Sequence, residues 1–328
     1  MQSSIKTTPS IALALILGLL MVACASASPT PMQEPPSQTS APIPNPIPAG
    51  ITLKDGLGRE FTFEKPFQRV ASLAPSNTEI LFALGAGSQT VARDAFSDYP
   101  EGAKALTDIG GGFADIDTET LVSLQPDLVL AAETNPVEKV QLLESLGFKV
   151  FYLSNPKDLD DLYDNLRLVA QLVGHEGEGE SLIESLKARV AAVESKLGGV
   201  QNRPLVFYEL DATDPNAPWT SGPGTFIDLL LTKAGGTNLG NILPNPWAQI
   251  SVEELITQNP DIILLGDYTL GGIKPEDVLS RVGWQSITAV KNKQVYPFDD
   301  NLVSRPGPRM VDGLETLARL LHPELFPQ

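Results

Sequence analysis

Apolar residues along the chain recur with two different periods, and the succession of those periods sets the order of elements. Over 51–63 apolar and polar positions alternate around Asp55-Gly56, which predicts a β-hairpin. Short apolar runs at 69–73, 128–131 and 149–152 have strand length. Each is followed, sooner or later, by a stretch in which apolar residues return every three or four positions: 75–84, 137–146 and 159–172. Strands alternating with helices of this length predict a parallel, doubly wound sheet. The same alternation resumes with a strand at 205–208, a helix at 226–234 stopped by Gly235-Gly236, a short helix at 275–279, a strand at 294–298 and a terminal helix at 309–321.

Between the two series runs a longer helical pattern, 176–197. Leu182, Ile183, Leu186, Val190, Val193 and Leu197 form one stripe, with Glu184, Lys187, Arg189 and Glu194 mostly off it, and Gly198-Gly199 stops it. By pattern alone this could be an ordinary surface helix. Its flanks argue otherwise. Glu119 is followed seven residues later by Pro126-Asp127 and an apolar strand, and Glu253 is followed seven residues later by Pro260-Asp261 and another, an offset of 134 residues. That offset is far longer than a solenoid period and suits two copies of one unit. The expected fold is α/β, with two doubly wound α/β lobes joined by a single long rigid helix: an N-terminal lobe at 51–174, the interlobe helix at 175–199 and a C-terminal lobe at 200–328.

The first fifty residues follow neither pattern. Lys6 precedes an apolar run over 11–22, short for a membrane span but of the right length for a signal-peptide core. It closes on Met21-Val22-Ala23-Cys24, which resembles the lipobox of bacterial lipoproteins with Met21 where leucine is usual. The expectation is a signal peptide at 1–23 and lipidation of Cys24, against the plainer reading of a secreted protein with a free thiol. Residues 25–50 are dominated by Pro, Ser, Thr and Ala, a composition that buries no core. Together with Cys24 they form an extended tether at 24–50 with a reach on the order of 80 Å.

Charge and chemistry narrow the function. The chain has 328 residues, 23 Lys+Arg against 40 Asp+Glu, and a formal net charge of -17. So acidic a surface repels phosphate backbones, which argues against nucleic acid as a partner. With two histidines and one cysteine, a histidine-rich or thiolate metal site is close to excluded, and no resident metal or cofactor is expected. Ligands of doubly wound sheets gather beyond the strand carboxyl ends. The loops there hold Ser76, Phe96, Tyr99 and Phe113, although a loop aromatic often only anchors its loop. In the second half Trp219 and Trp247 fall in expected loops before helices, where an indole more often marks a site. The glycines after Trp219 lack a phosphate-loop signature and read as turn residues.

Several segments in the right order resemble one family. Arg69-Val-Ala-Ser-Leu-Ala-Pro-Ser-Asn-Thr-Glu79, Phe96-Ser-Asp-Tyr-Pro100, the stretch 119–129, Trp219-Thr-Ser-Gly222, Ala234-Gly-Gly-Thr-Asn238 and Pro246-Trp247 are similar to the substrate-binding proteins of ABC importers for cobalamin, ferric siderophores and haem. The resemblance implies two lobes on one helix with ligand in the cleft between them. Its nearest likeness is to vitamin B12-binding proteins, which implies ligand contacts from Phe96, Phe113, Trp219 and Trp247, with Arg305 at the edge. Phe96 stands where a tyrosine is expected and Phe113 where a tryptophan is expected. Ser76 and Tyr99 join the expected ligand-binding set. The resemblance further implies that Glu119 and Glu253 dock on arginine pockets of a permease dimer that works with ATPase subunits. A carboxylate at the second position of a helix also suits the helix dipole, with Asp117 and Ser251 as caps and Ser251 with Glu254 as a capping box.

The implied protein is a monomeric, lipid-anchored, extracytoplasmic receptor that carries a corrinoid, with a ferric siderophore or haem as the alternative cargo. Other classes fit less well. A lipid-anchored hydrolase needs a nucleophile with a base, but His175 and His322 lie outside the expected cleft and Ser76 lacks the G-x-S-x-G elbow. No catalytic residue is expected. An interaction module would not need aromatic rings from both lobes.

Overall fold

The computed structural model describes residues 50–112 and 114–326. The signal segment, Cys24, most of the tether and Phe113 lie outside the described residues. The described residues belong to one compact unit, built as two α/β lobes on one long helix.

The first lobe begins with the hairpin β1 (Ile51–Lys54) and β2 (Glu60–Phe63), paired antiparallel. Its main sheet holds β3 (Val70–Ser72), β4 (Thr90–Arg93), β5 (Thr107–Asp108), β6 (Leu128–Ala132) and β7 (Val150–Leu153) in the order β5-β4-β3-β6-β7, all parallel. The second lobe holds β8 (Leu205–Asp211), β9 (Trp219–Ser221), β10 (Thr237–Asn238), β11 (Trp247–Gln249), β12 (Ile262–Leu265) and β13 (Val295–Pro297). Their order is β11-β9-β8-β12-β13, with β10 paired to the start of β8. This sheet is mixed, because β9 runs antiparallel to both of its neighbours, β8 and β11. Trp219 and Trp247 therefore sit in short strands, not in the loops the sequence suggests. Three residues carry too little periodicity to be told from a loop.

Alternation along the strands explains the double winding. On β6, Leu128 and Leu130 enter one core and Val129 and Ala131 another. On β12, Ile262 and Leu264 face one core while Ile263 and Leu265 face the other. Each strand is thus apolar on both faces, as a sheet covered by helices on both sides requires.

The duplicated segments share the same local devices. The helices Thr118–Leu124 and Val252–Gln258 begin at equivalent caps, Asp117 accepting from the Thr120 N–H and Ser251 from the Glu254 N–H. Both end on a left-handed residue, Gln125 at φ 49° and Asn259 at φ 52°. Asp127 then accepts from the Gln68 and Arg69 N–H groups, and Asp261 from the Leu205 N–H, so each Pro-Asp pins the start of its neighbouring strand. The capping box is only half formed, since Glu254 accepts from Gln258 instead.

The joining helix spans Glu176–Leu197 and buries Gly179, Ile183, Leu186, Val190 and Val193. Ile183, Leu186, Val190 and Val193 belong to the same continuous core as Leu84 and Leu166 of the first lobe and Leu314 and Leu317 of the second. At the edge of that stripe, Arg189 holds both Asp312 and Glu315 of the terminal helix Met310–Leu321. A core that runs through the joint resists hinge bending, which makes the helix a strut. Gly179 sets how closely the strut approaches its neighbour: a Cβ there would lie 2.8 Å from the Ala170 Cβ on the helix Leu159–Val173.

Candidate functional site

The site is built at the carboxyl ends of the two sheets. β3 leads into the helix Pro75–Ala83, which carries Ser76 and Glu79, and β4 leads into the turn that carries Phe96, Asp98 and Tyr99. From the second lobe, β13 leads to Arg305-Pro-Gly-Pro-Arg309. Contacts across the gap show that these edges face one another. The buried Glu79 carboxylate receives Arg309 Nε at 2.9 Å and Nη2 at 2.5 Å, and Arg305 Nη1 at 3.4 Å. Arg305 also donates to Asp98 at 2.7 Å. The Arg309 guanidinium lies 3.9 Å from the Tyr99 ring centre, a cation–π contact. A Cβ at Gly307 would lie 3.5 Å from the Ser76 carbonyl, so the second lobe rests on the first turn of the Pro75–Ala83 helix.

Three of the expected ligand residues, Ser76, Tyr99 and Arg305, are thus drawn into this seam. Ser76 is buried beneath Gly307. Tyr99 packs on Arg309 and lines a cavity of about 330 Å³ shared with Phe82, Leu182, Leu186 and Pro308. That cavity lies against the joining helix and includes neither tryptophan.

Phe96 is exposed and its loop is tightly specified. Asp94 accepts from the Phe96 N–H at 2.8 Å and from the Ser97 hydroxyl, which continues through Thr78 to Ser72 at 2.8 Å per step. Burial raises the Asp94 carboxyl above its ordinary value, while the Ser97 and Phe96 bonds oppose that rise. On the far side, a Cβ at Gly112 would meet the Phe96 ring at 2.4 Å. Gly110, Gly111 and Gly112 all have positive φ, which favours glycine by conformation, and at Gly110 a Cβ would also stand 2.5 Å from the Asp115 carbonyl.

The tryptophans come together on one face. In the antiparallel pair Trp219 is opposite Gln249 and Trp247 is opposite Ser221, which places the two indoles diagonally on the same side of the sheet. They are 43% and 44% exposed, about as open as Phe96 at 40%. Such area is costly to leave in water without a partner. Trp247 is braced by Phe226, with ring centres 5.8 Å apart. Behind the pair, Cβ atoms at Gly222 and Gly240 would stand 2.3 Å from the Asn245 carbonyl and 2.0 Å from the Ser221 carbonyl. Gly222 therefore serves close backbone packing and not the turn expected of it, whereas Gly224, at φ 78°, does serve a turn.

Charge around the strand ends is compensated. Arg93 bonds Asp108 at 3.2 Å, Arg281 bonds the fully buried Glu209 at 2.5 and 2.8 Å, and Arg305 and Arg309 share Glu79 and Asp98 as above. Burial opposes ionisation of Asp98, but Arg305 outweighs it and holds the carboxyl below its ordinary value. Burial, reinforced by Glu209, pushes Asp267 up to about 7; one of its oxygens accepts from the Ala212 N–H and the other is buried without a partner. Tyr208 donates to Asp300 at 2.7 Å. Sequence reasoning missed Glu79, Glu209, Asp267, Arg281 and Asp300. Only Glu79, a carboxylate inside an apolar helix, carried a local signal of burial.

Glu119 and Glu253 are exposed, and neither carboxylate has a side-chain partner among the described residues. Both histidines do structural work. His175 bonds Gln89 at 2.8 Å at the head of the strut, and the buried His322 bonds the Gly235 carbonyl.

Two α/β lobes on a rigid helical strut, with exposed aromatic groups where strand ends face each other, define a two-lobed binding protein of low flexibility. Residues 70–302 match the family described as periplasmic binding protein, and the chain belongs to that family. It is 30% identical over 283 residues to the uncharacterized ABC transporter substrate-binding lipoprotein YvrC of Bacillus subtilis, covering 85% of this chain and 87% of that one. It is 29% identical to the vitamin B12-binding protein of Vibrio vulnificus, covering 76% and 88% of the two chains. Among solved structures, the periplasmic heme-binding protein RhuT of Roseiflexus is similar with a TM-score of 0.70 at 28% identity, covering 79% of this chain and 99% of that one. The chain is a periplasmic-type substrate-binding protein of ABC importers.

Proposed function

We propose that this chain captures cobalamin or a related corrinoid between its lobes and delivers it to a permease dimer, with a lipidated Cys24 and the 24–50 tether holding it to the membrane. The observation that carries this reading is the pairing of open rings with compensated charge. Phe96, Trp219 and Trp247 offer apolar faces to a large planar macrocycle, while each neighbouring guanidinium is already matched by a carboxylate. A corrin edged with amides suits that surface, whereas an anionic chelate needs unpaired cations. Phe113 is assigned to the same set by its family position, and Arg305 to the rim. The vitamin B12-binding relative supports the corrinoid. The haem-binding neighbour supports haem as the second reading.

Glu119 and Glu253 are assigned to permease docking. They are equivalent positions of a duplicated unit, exposed and unengaged, as recognition by two matching subunits requires.

The test is calorimetric titration of the full-length chain in mild detergent with cyanocobalamin, haemin and a ferric hydroxamate. One-to-one binding of cyanocobalamin, lost in Trp247→Ala, is the expected result. Binding of haemin or the ferric hydroxamate without cyanocobalamin overturns the corrinoid and keeps the transport role.

A further inference from the structure

The two arginines of the interlobe seam are engaged unequally. Arg309 places a bidentate pair of bonds on Glu79, whose side chain is only 2% exposed. Arg305 reaches Glu79 only at 3.4 Å, because Arg309 already occupies both carboxylate oxygens. Its short bond, 2.7 Å, goes to Asp98, whose side chain is 58% exposed. Arg309 is therefore locked, while Arg305 is matched by an anion at the protein surface. Asp98 lies two residues after Phe96, in the same short loop that Asp94 pins from beneath.

We infer that Asp98 is a specificity-determining residue: an internal counter-anion that occupies Arg305 and turns carboxylate-bearing cargo away from the Phe96 side of the cleft. The inference rests on the reading of this cleft as the ligand site. A cargo carboxylate approaching Arg305 must displace Asp98 or sit beside it as a like charge. Displacement brings little gain, because Asp98 is part of the folded chain and loses less freedom on bonding than an incoming ligand does. An amide or other uncharged substituent faces no such competition. Removing the Asp98 carboxylate leaves Arg305 with Glu79, shared with Arg309 and 3.4 Å away, as its remaining ion-pair partner. Asp94 and Asp300 also lie within electrostatic reach of Arg305, so the surroundings are acidic even without Asp98.

The experiment measures a ratio on one scaffold. Cyanocobalamin and its monocarboxylic acid, in which one propionamide is hydrolysed to a propionate, are titrated calorimetrically into the full-length protein and into Asp98→Ala. The wild type is expected to prefer the amide by about tenfold, and Asp98→Ala to reduce or invert that preference by about tenfold, the scale of one charge-assisted hydrogen bond. Adding Arg305→Gln to Asp98→Ala should remove the gain for the acid. An amide-to-acid ratio that is the same with and without the Asp98 carboxylate overturns the inference, as does a gain that survives loss of Arg305. If the wild type binds neither corrinoid, the proposed cargo fails on its own. The same ratio is then read with haemin dimethyl ester against haemin, where an unchanged ratio again overturns the role of Asp98.

Discussion

Gly179→Ala sets two effects of opposite sign against each other inside the strut. Glycine in a helix interior costs roughly 1 kcal/mol relative to alanine, so on propensity alone the substitution stabilises. The structure argues the reverse. The new methyl would stand 2.8 Å from the Ala170 Cβ and 3.5 Å from a Leu84 methyl. Ala170 has no rotamer to adjust, and it is buried in the main core together with its helix neighbours Leu166 and Val173. Overpacking of this kind costs about 1–3 kcal/mol, which exceeds the propensity gain by up to about 2 kcal/mol. Ala170→Gly is also destabilising, by about 1 kcal/mol of propensity plus the buried methyl. The double variant moves one methyl across the interface and exchanges one glycine for another, so both terms nearly cancel. Urea unfolding of the wild type, the two single variants and the double variant should give two destabilised singles and a double within about 0.5 kcal/mol of the wild type. A Gly179→Ala protein more stable than the wild type, or additive singles, would refute the claim that glycine is there to bring the strut against the first lobe.

Two further predictions concern backbone strain and a buried acid. Gln125 is exposed and left-handed without the freedom of glycine, so Gln125→Gly should stabilise by about 0.5–1 kcal/mol in urea unfolding. The equivalent Asn259→Gly should destabilise instead, because the Asn259 amide oxygen accepts from the Thr288 N–H at 2.7 Å. Asp267 titrates near 7 when folded against 3.8 as its ordinary value, so between those values the folded chain holds a proton that the unfolded chain has lost. Stability contributed at this position is therefore present below about pH 4 and is lost as pH rises through about 7. Asp267→Asn should flatten that fall, and thermal unfolding midpoints over pH 4–8 that decline equally in both proteins would refute it.

The strut and the duplication were legible because they are local and periodic. The stripe from Leu182 to Leu197 and the Glu…Pro-Asp segments at 119 and 253 repeat at spacings that fix which face is buried, and the observed helices differ from each other by the same 134 residues. The strand positions of Trp219 and Trp247 were not legible, because a three-residue antiparallel strand is defined by its partner. The same holds for the Glu79 clasp. Nothing near Glu79 in sequence points to Arg305 and Arg309, more than two hundred residues away, and the carboxylate is tolerable in the interior only because folding brings them there. Sequence alone determined the α/β class, the two copies and the long joining helix, since each follows from period. Tertiary structure alone decided which charges meet. That depends on distances across the cleft, and it gave Arg305, expected only at the edge of the ligand contacts, a carboxylate partner in Asp98.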